Sequence, residues 1–259
     1  MESGGQLNRI RQLWRDGRCA LGAIATMPSV QTVQVMARSG LDWILIDMEH
    51  SPIDVNAAHA MIAATSGTPL VPLVRVPSTA AWHAKIPLDA GAMGIAFPAT
   101  TRREDAEAVV RAVRYAPEGE RGWGPFYAPL RWGLSTREYV DRANDEILAI
   151  GLVEYIDAVS SVSEVVATPG LDMVIIGPGD LATSMGLKGR SDDPRVLDAI
   201  RRLESVILPS RVALCGVAHS ADQANAMIAR GYKALIVGFD TTLLQRGIAG
   251  AISEIRVAG

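Results

Sequence analysis

The chain has 259 residues, of which 49% are hydrophobic and 20% charged, with a formal net charge of −3. That length suits one large core, the apolar share argues against disorder, and a pI of about 5.8 gives no electrostatic footprint for nucleic acid. No apolar run approaches the roughly 20 residues a membrane span requires, so no membrane partner is expected.

Along the chain, short apolar runs recur, each followed by a polar turn and a helical pattern. Strands are predicted at 20–26, 43–48, 70–76, 94–98, 148–154, 173–177, 212–217 and 234–239. Their near-continuous apolar character, as in Trp43-Ile-Leu-Ile46 and Met173-Val-Ile-Ile176, fits strands buried on both faces. Helices are predicted over 28–39, 54–66 and 78–90, opening near Pro28, Pro52 and Pro77 and closing at Gly40, Gly67 and Gly91. Another spans about 102–114 and a further one runs to about 146. Ser220 with Gln223 reads as a capping box for a helix to about 230, and a last helix covers roughly 242–256. The alternation predicts an α/β fold, a (β/α)8 TIM barrel formed as a single domain over 1–259.

One interval breaks the rhythm. Residues 115–133 are rich in Gly, Pro and aromatics, a composition too apolar to stay free in solvent, and are expected to form a lid or a subunit contact. Cys19 and Cys215 lie far apart in apolar runs and read as buried, reduced thiols. The opening Met-Glu-Ser-Gly-Gly-Gln has no charged-then-apolar leader pattern, so a cytoplasmic location is expected.

Polar groups at the strand ends are the candidates for chemistry, because a barrel of this kind carries its active site at that face. Strand two ends Asp47-Met-Glu-His50, where Asp47 or Glu49 could polarise the imidazole. Arg75 ends strand three and serves either a substrate carboxylate, the favoured reading, or a structural ion pair. Glu154 ends strand five, and strand six leads into Gly177-Pro-Gly-Asp180. Two such carboxylates suit a hard divalent ion; the other reading is a helix cap at Asp180 and a core ion pair at Glu154. Gly179 would allow ligand oxygens close to the backbone amides. His59 and His83 fall in helical patterns and read as structural, while His219 is a weaker pocket candidate. Lys85, Lys188 and Lys233 all lie outside the strand runs, which argues against imine catalysis. The loops after strands seven and eight are poor phosphate cradles.

The stretches Leu41-Asp-Trp-Ile-Leu-Ile-Asp-Met-Glu-His50, Val74-Arg-Val-Pro77, Leu88-Asp-Ala-Gly-Ala92, Arg114-Tyr-Ala-Pro-Glu-Gly-Glu-Arg-Gly122, Gly177-Pro-Gly-Asp-Leu181 and Gly238-Phe-Asp-Thr-Thr-Leu-Leu244 occur in that order. Together they resemble the HpcH/HpaI family of metal-dependent (class II) pyruvate aldolases, 4-hydroxy-2-oxoheptanedioate aldolase-like, over nearly the whole sequence. The resemblance implies a lyase that cleaves a 4-hydroxy-2-oxo acid to pyruvate and an aldehyde through an enolate. It implies that Glu154 and Asp180 bind a divalent metal (Mg2+, Mn2+ or Co2+), with His50 as acid/base and its basicity raised through Asp89. Arg75 would stabilise the enolate, and Asp47 would partner His50. Glu49 would hold a water ligand of the metal, and the backbone at Gly177 and Gly179 would meet the pyruvate carboxylate. A homo-hexamer, a dimer of trimers, is implied, with the C-terminal helix packed on a neighbouring subunit.

The chain departs from that pattern at Leu152, where a substrate-touching Gln can occur, at Tyr155 and Gly179, and in the aromatic loop at 123–131. These departures point to a less polar acceptor than a sugar aldehyde. The alternatives are a related enolate enzyme, decarboxylating oxaloacetate or adding the enolate to another acceptor, and a non-catalytic ligand-binding barrel.

Overall fold

The computed structural model describes residues 8–256. Eight parallel strands close into a barrel in sequence order: β1 (Ala20–Ala25), β2 (Trp43–Asp47), β3 (Val71–Arg75), β4 (Gly94–Phe97), β5 (Leu148–Val153), β6 (Met173–Ile176), β7 (Ala213–Val217) and β8 (Ala234–Phe239). The (β/α)8 expectation holds, and every strand lies within one or two residues of its predicted place. The helices are α1 (Arg9–Arg15), α2 (Val30–Met36), α3 (Val55–Ala63), α4 (Lys85–Ala90), α5 (Arg103–Val113), α6 (Ala128–Trp132), α7 (Thr136–Glu146), α8 (Ala158–Ala167), α9 (Pro178–Ser184), α10 (Pro194–Ile207), α11 (Ala221–Arg230) and α12 (Asp240–Arg256).

Two local expectations shift. The helix predicted from 78 begins as a 3-10 turn at Ala81–Ala84 before α4, and Gly91 then ends α4 in the left-handed region at φ 107°. At the start of α11, Ser220 caps Gln223, but the Gln223 side chain accepts from the amide of His219 instead of that of Ser220.

Two apolar layers hold the barrel. The inner layer includes Trp43, Leu45, Val71, Leu73, Ile150, Leu152, Met173 and Ile175; the outer one packs Ile44, Ile46, Val74, Val153 and Val174 against the helices. Alternation along each strand therefore sends 43, 45 and 47, then 71, 73 and 75, then 150, 152 and 154 toward the axis. The hydrophobic interior thus ends at its upper rim in Asp47, Arg75 and Glu154. Lower down, the Trp43 indole fills the space of a missing side chain: a Cβ on Gly22 would lie 2.1 Å from the ring.

The opposite face is closed by α1, an element the sequence reading does not anticipate. Its Ile10 and Leu13 enter the inner layer, and Asn8 ties it to the Met93 and Glu146 carbonyls at 3.1 and 2.8 Å. Beside it, Asp172 accepts from Arg11 at 2.7 Å, Arg114 at 2.7 Å and the Ala149 amide at 2.8 Å. Removing this carboxylate strands two partly buried guanidinium groups. Asp172→Ala is expected to lower unfolding stability by about 3 kcal/mol, read as a shifted urea midpoint at unchanged slope.

Candidate active site

A cavity of about 300 Å3 opens at the C-terminal ends of the strands. Asp47, His50, Arg75, Leu152, Glu154, Gly177, Gly179 and Asp180 all line it, whereas the predicted Glu49, Asp89 and His219 do not.

Arg75 is the organising cation. Its Nε and Nη2 donate to the two carboxylate oxygens of Asp47 at 2.9 and 2.7 Å, while Nη1 lies 3.2 Å from Glu49. Adjacent register makes this possible, since Asp47 and Arg75 are paired residues of β2 and β3. The ion-pair reading of Arg75 is thus realised within a group that still lines the cavity. The guanidinium holds the Asp47 carboxyl below its usual range, against the opposing effect of burial.

Asp47 meets His50 through the backbone, with no hydrogen bond to the imidazole among the described residues. Its carboxylate accepts from the backbone amides of Glu49 at 3.0 Å and His50 at 3.4 Å, and so shapes the turn that presents His50. The His50 ring is well exposed, and its Nε2 lies 3.7 Å from Glu49. Glu49 has a buried Oε2 without a hydrogen-bond partner, and burial raises its pKa despite Arg75 and His50 nearby.

Glu154 follows β5 and is buried. Its Oε1 accepts from the amide of Ala99 at 2.7 Å. Ala99 itself adopts a left-handed backbone, φ 52°, which a residue with a Cβ rarely takes; the strain sits where the amide meets the carboxylate. Asp180 stands in the first turn of α9 with Gly177 as N-cap, and its carboxylate accepts no hydrogen bond among the described residues. Neither the cap reading of Asp180 nor the ion-pair reading of Glu154 is realised.

The two carboxylates flank one point. A Cβ on Gly177 would lie 3.2 Å from Glu154 Oε2 and 3.9 Å from Asp180 Oδ2. Burial first, then repulsion from Glu49 and Asp180, pushes the Glu154 carboxyl up to about 7. Among the described residues no cluster of three or more His, Cys, Asp or Glu forms a complete metal cage. A pair of carboxylates beside open cavity space is the donor set of a hard divalent ion that keeps positions for water and substrate oxygens, so these residues fit such an ion.

The comparisons with known proteins agree with this geometry. Residues 26–246 match the profile of the family described as HpcH/HpaI aldolase/citrate lyase. The chain belongs to the HpcH/HpaI aldolase/citrate lyase family. It is 36% identical over 209 residues to the hydroxypyruvate/pyruvate aldolase of Sagittula stellata, covering 79% of this chain and 82% of that one. It is 33% identical over 246 residues to the 4-hydroxy-2-oxo-heptane-1,7-dioate aldolase of Salmonella dublin, covering 93% and 91%. A solved member of the HpcH/HpaI family from Burkholderia cenocepacia superposes with a TM-score of 0.88 at 32% identity, over 96% of this chain and 99% of the other.

Three of the sequence expectations concern residues that lie outside the cavity of their own protomer. Asp89 lies on α4, outside the barrel, where Arg121 donates to it at 3.0 Å; it does not line the cavity and does not reach His50 within the protomer. His219 lines an adjoining groove between α10 and α11 and not the cavity itself. No residue of 115–133 lines the barrel mouth, so this segment is no lid over its own site. Instead Arg131 bonds the carbonyls of His59 and Ala90, and Trp132 bonds that of Gly91, clamping the segment onto α3 and α4. His59 is structural as expected, with its Nε2 2.9 Å from Arg131.

The sequence reading misses Asp240, buried at the head of α12, which accepts from the Thr26 hydroxyl at 2.6 Å and from the amides of Thr26 and Met27 at 2.8 and 2.9 Å. It also misses Ala99, whose φ no sequence pattern signals.

The raised Glu154 pKa sets a pH signature. A carboxyl whose folded pKa exceeds its unfolded value stabilises the fold below the unfolded pKa, near 4.5, and that contribution is lost as pH rises through about 7. Glu154→Gln, which cannot ionise, should therefore raise the Tm of metal-free protein by a few degrees at pH 8 and hardly at pH 4. Calorimetric scans at both values check this, since about 1 kcal/mol moves Tm by roughly 2–4 °C in a chain of this size.

Proposed function

We propose that the protein is a class II pyruvate aldolase that reversibly cleaves a 4-hydroxy-2-oxo acid to pyruvate and an aldehyde. The observation that carries this reading is the pair Glu154 and Asp180, without ion-pair partners among the described residues and flanking Gly177 beside Arg75. Family membership and the named activities of the relatives support it.

Glu154 and Asp180 would hold a divalent ion, Mg2+, Mn2+ or Co2+, which supplies Lewis acidity toward the 2-keto and carboxylate oxygens when bound. Arg75 places a fixed positive charge where negative charge grows on the keto oxygen as the C3–C4 bond breaks, an interaction strongest in the transition state. Its clamp by Asp47 keeps the guanidinium from reorienting. His50 takes the proton of the 4-hydroxyl as the aldehyde carbonyl forms, and returns a proton to C3 to give the pyruvate methyl group. Its exposed ring suits a proton exchanged with solvent. The small Gly177 and Gly179 leave room for the pyruvate carboxylate along the first turn of α9.

The assembly belongs to the same proposal. Leu244, Ile248, Ile252 and Ile255 are exposed and recur along one stripe of α12, while Leu21 on β1 is also exposed although it belongs to a barrel strand. We assign α12 to a neighbouring subunit in a homo-hexamer, and the contact of Asp89 with His50 to a neighbouring copy. Free cysteines fit a reducing cytoplasm. Among the described residues no helix is long and apolar enough to cross a membrane.

Deuterium exchange into the pyruvate methyl group, followed by NMR, tests the enolate step without knowledge of the aldehyde. Exchange should require added Mn2+ or Mg2+, disappear in Glu154→Gln and Asp180→Asn, and fall by about 100-fold in Arg75→Lys, which keeps charge but loses the fork. Metal-independent exchange would sink the assignment of Glu154 and Asp180. For the assembly, Ile248→Glu combined with Ile252→Glu should shift sedimentation to a smaller species; an unchanged sedimentation coefficient would remove α12 from the interface.

A further inference from the structure

The barrel mouth is divided by polarity. Asp47, Arg75, Glu154 and Asp180 gather on the arc from β2 to β6, with Glu49 against Arg75 behind them. The arc from β7 through β8 to β1 is apolar, walled by Val217, Phe239, Ile236 and Ile24.

We infer that the acceptor aldehyde of this enzyme is uncharged and apolar, an aliphatic aldehyde of modest length rather than one bearing a carboxylate. The inference rests on the pyruvate aldolase reading and names the other half of its substrate. The charged arc takes up the keto acid, so the substituent on the aldehyde carbon must lie along the β7–β8–β1 arc. A carboxylate there would need a cation or free donors. The connections after β1 (26–29) and β7 (218–220) contain neither Lys nor Arg, and β8 runs directly into α12 at Asp240. The hydroxyl on that wall, that of Thr26, already donates to Asp240. His219 lines the adjoining groove between α10 and α11 and is not among the residues of the cavity.

The charges across the mouth point the same way. Asp47, Glu49, Glu154 and Asp180 face one fixed cation, Arg75, and the imidazole of His50, and both oxygens of Asp47 already occupy the Arg75 fork. With the four acids ionised and His50 neutral, even a bound divalent ion leaves this balance negative, so a second carboxylate entering the cavity is repelled while an alkyl chain gains by leaving water. Size sets a bound as well, since about 300 Å3 is at the small end of ligand sites. The relative from Salmonella dublin is named for a heptane-1,7-dioate, a diacid whose distal carboxylate this wall does not accommodate.

The test is aldol addition of pyruvate, with Mn2+, to hexanal and to succinic semialdehyde as the anionic probe of similar length, with methyl deuterium exchange run on the same preparation. The inference expects kcat/KM for hexanal to exceed that for the semialdehyde by tenfold or more. Val217→Arg, which places a guanidinium on the apolar wall, should move that ratio toward the semialdehyde by at least tenfold. Exchange with equal or better use of the semialdehyde overturns the inference and leaves the aldolase reading standing, as does exchange with neither aldehyde accepted. Absence of exchange removes the aldolase reading itself, and the inference with it.

Discussion

The fork between Arg75 and Asp47 is the contact on which the barrel mouth depends. It joins the ends of neighbouring strands, buries a cation with its counter-charge satisfied, and fixes the guanidinium at the axis of the barrel. The same Asp47 carboxylate collects the amides of the following turn, so the position of His50 is set by a pair that never touches its ring. Because Arg75 is committed to β2, Glu154 across the barrel has no ion-pair partner among the described residues and rests on the Ala99 amide. A carboxyl kept buried, crowded by other acids and raised toward neutrality is one whose negative charge awaits a cation.

This arrangement gains specificity at the expense of intrinsic stability. Burying Glu154 near Glu49 and Asp180 opposes the fold at neutral pH, and Ala99 holds a backbone conformation that its side chain disfavours. The two hydrophobic layers and the ion network at the opposite face, where Asp172 joins Arg11 and Arg114, offset such terms. Stability is concentrated at one end of the barrel and reactivity at the other, the division expected of this architecture.

Much of this was legible in the residues. Period-two burial on strands is a local property, so Asp47, Arg75 and Glu154 could be placed at strand ends facing inward from their spacing alone. The aromatic segment at 115–133 was legible as ordered, because its apolar side chains needed cover, but what they cover was not. Arg121 finds Asp89, and Arg131 finds the end of α4, through packing between segments distant in sequence. The same kind of pairing commits the Asp47 carboxylate to Arg75 and, within the protomer, Asp89 to Arg121.

The sequence by itself determined the number and order of the strands, the face on which polar groups gather and the family to which the chain belongs, since these rest on periodicity and on ordered local motifs. Only the tertiary structure decided which charges meet. Ion-pair choice depends on register between neighbouring strands and on competition among several acids for one guanidinium. That competition is settled by distances of a few ångströms that closing the barrel imposes, and no single stretch of sequence contains them.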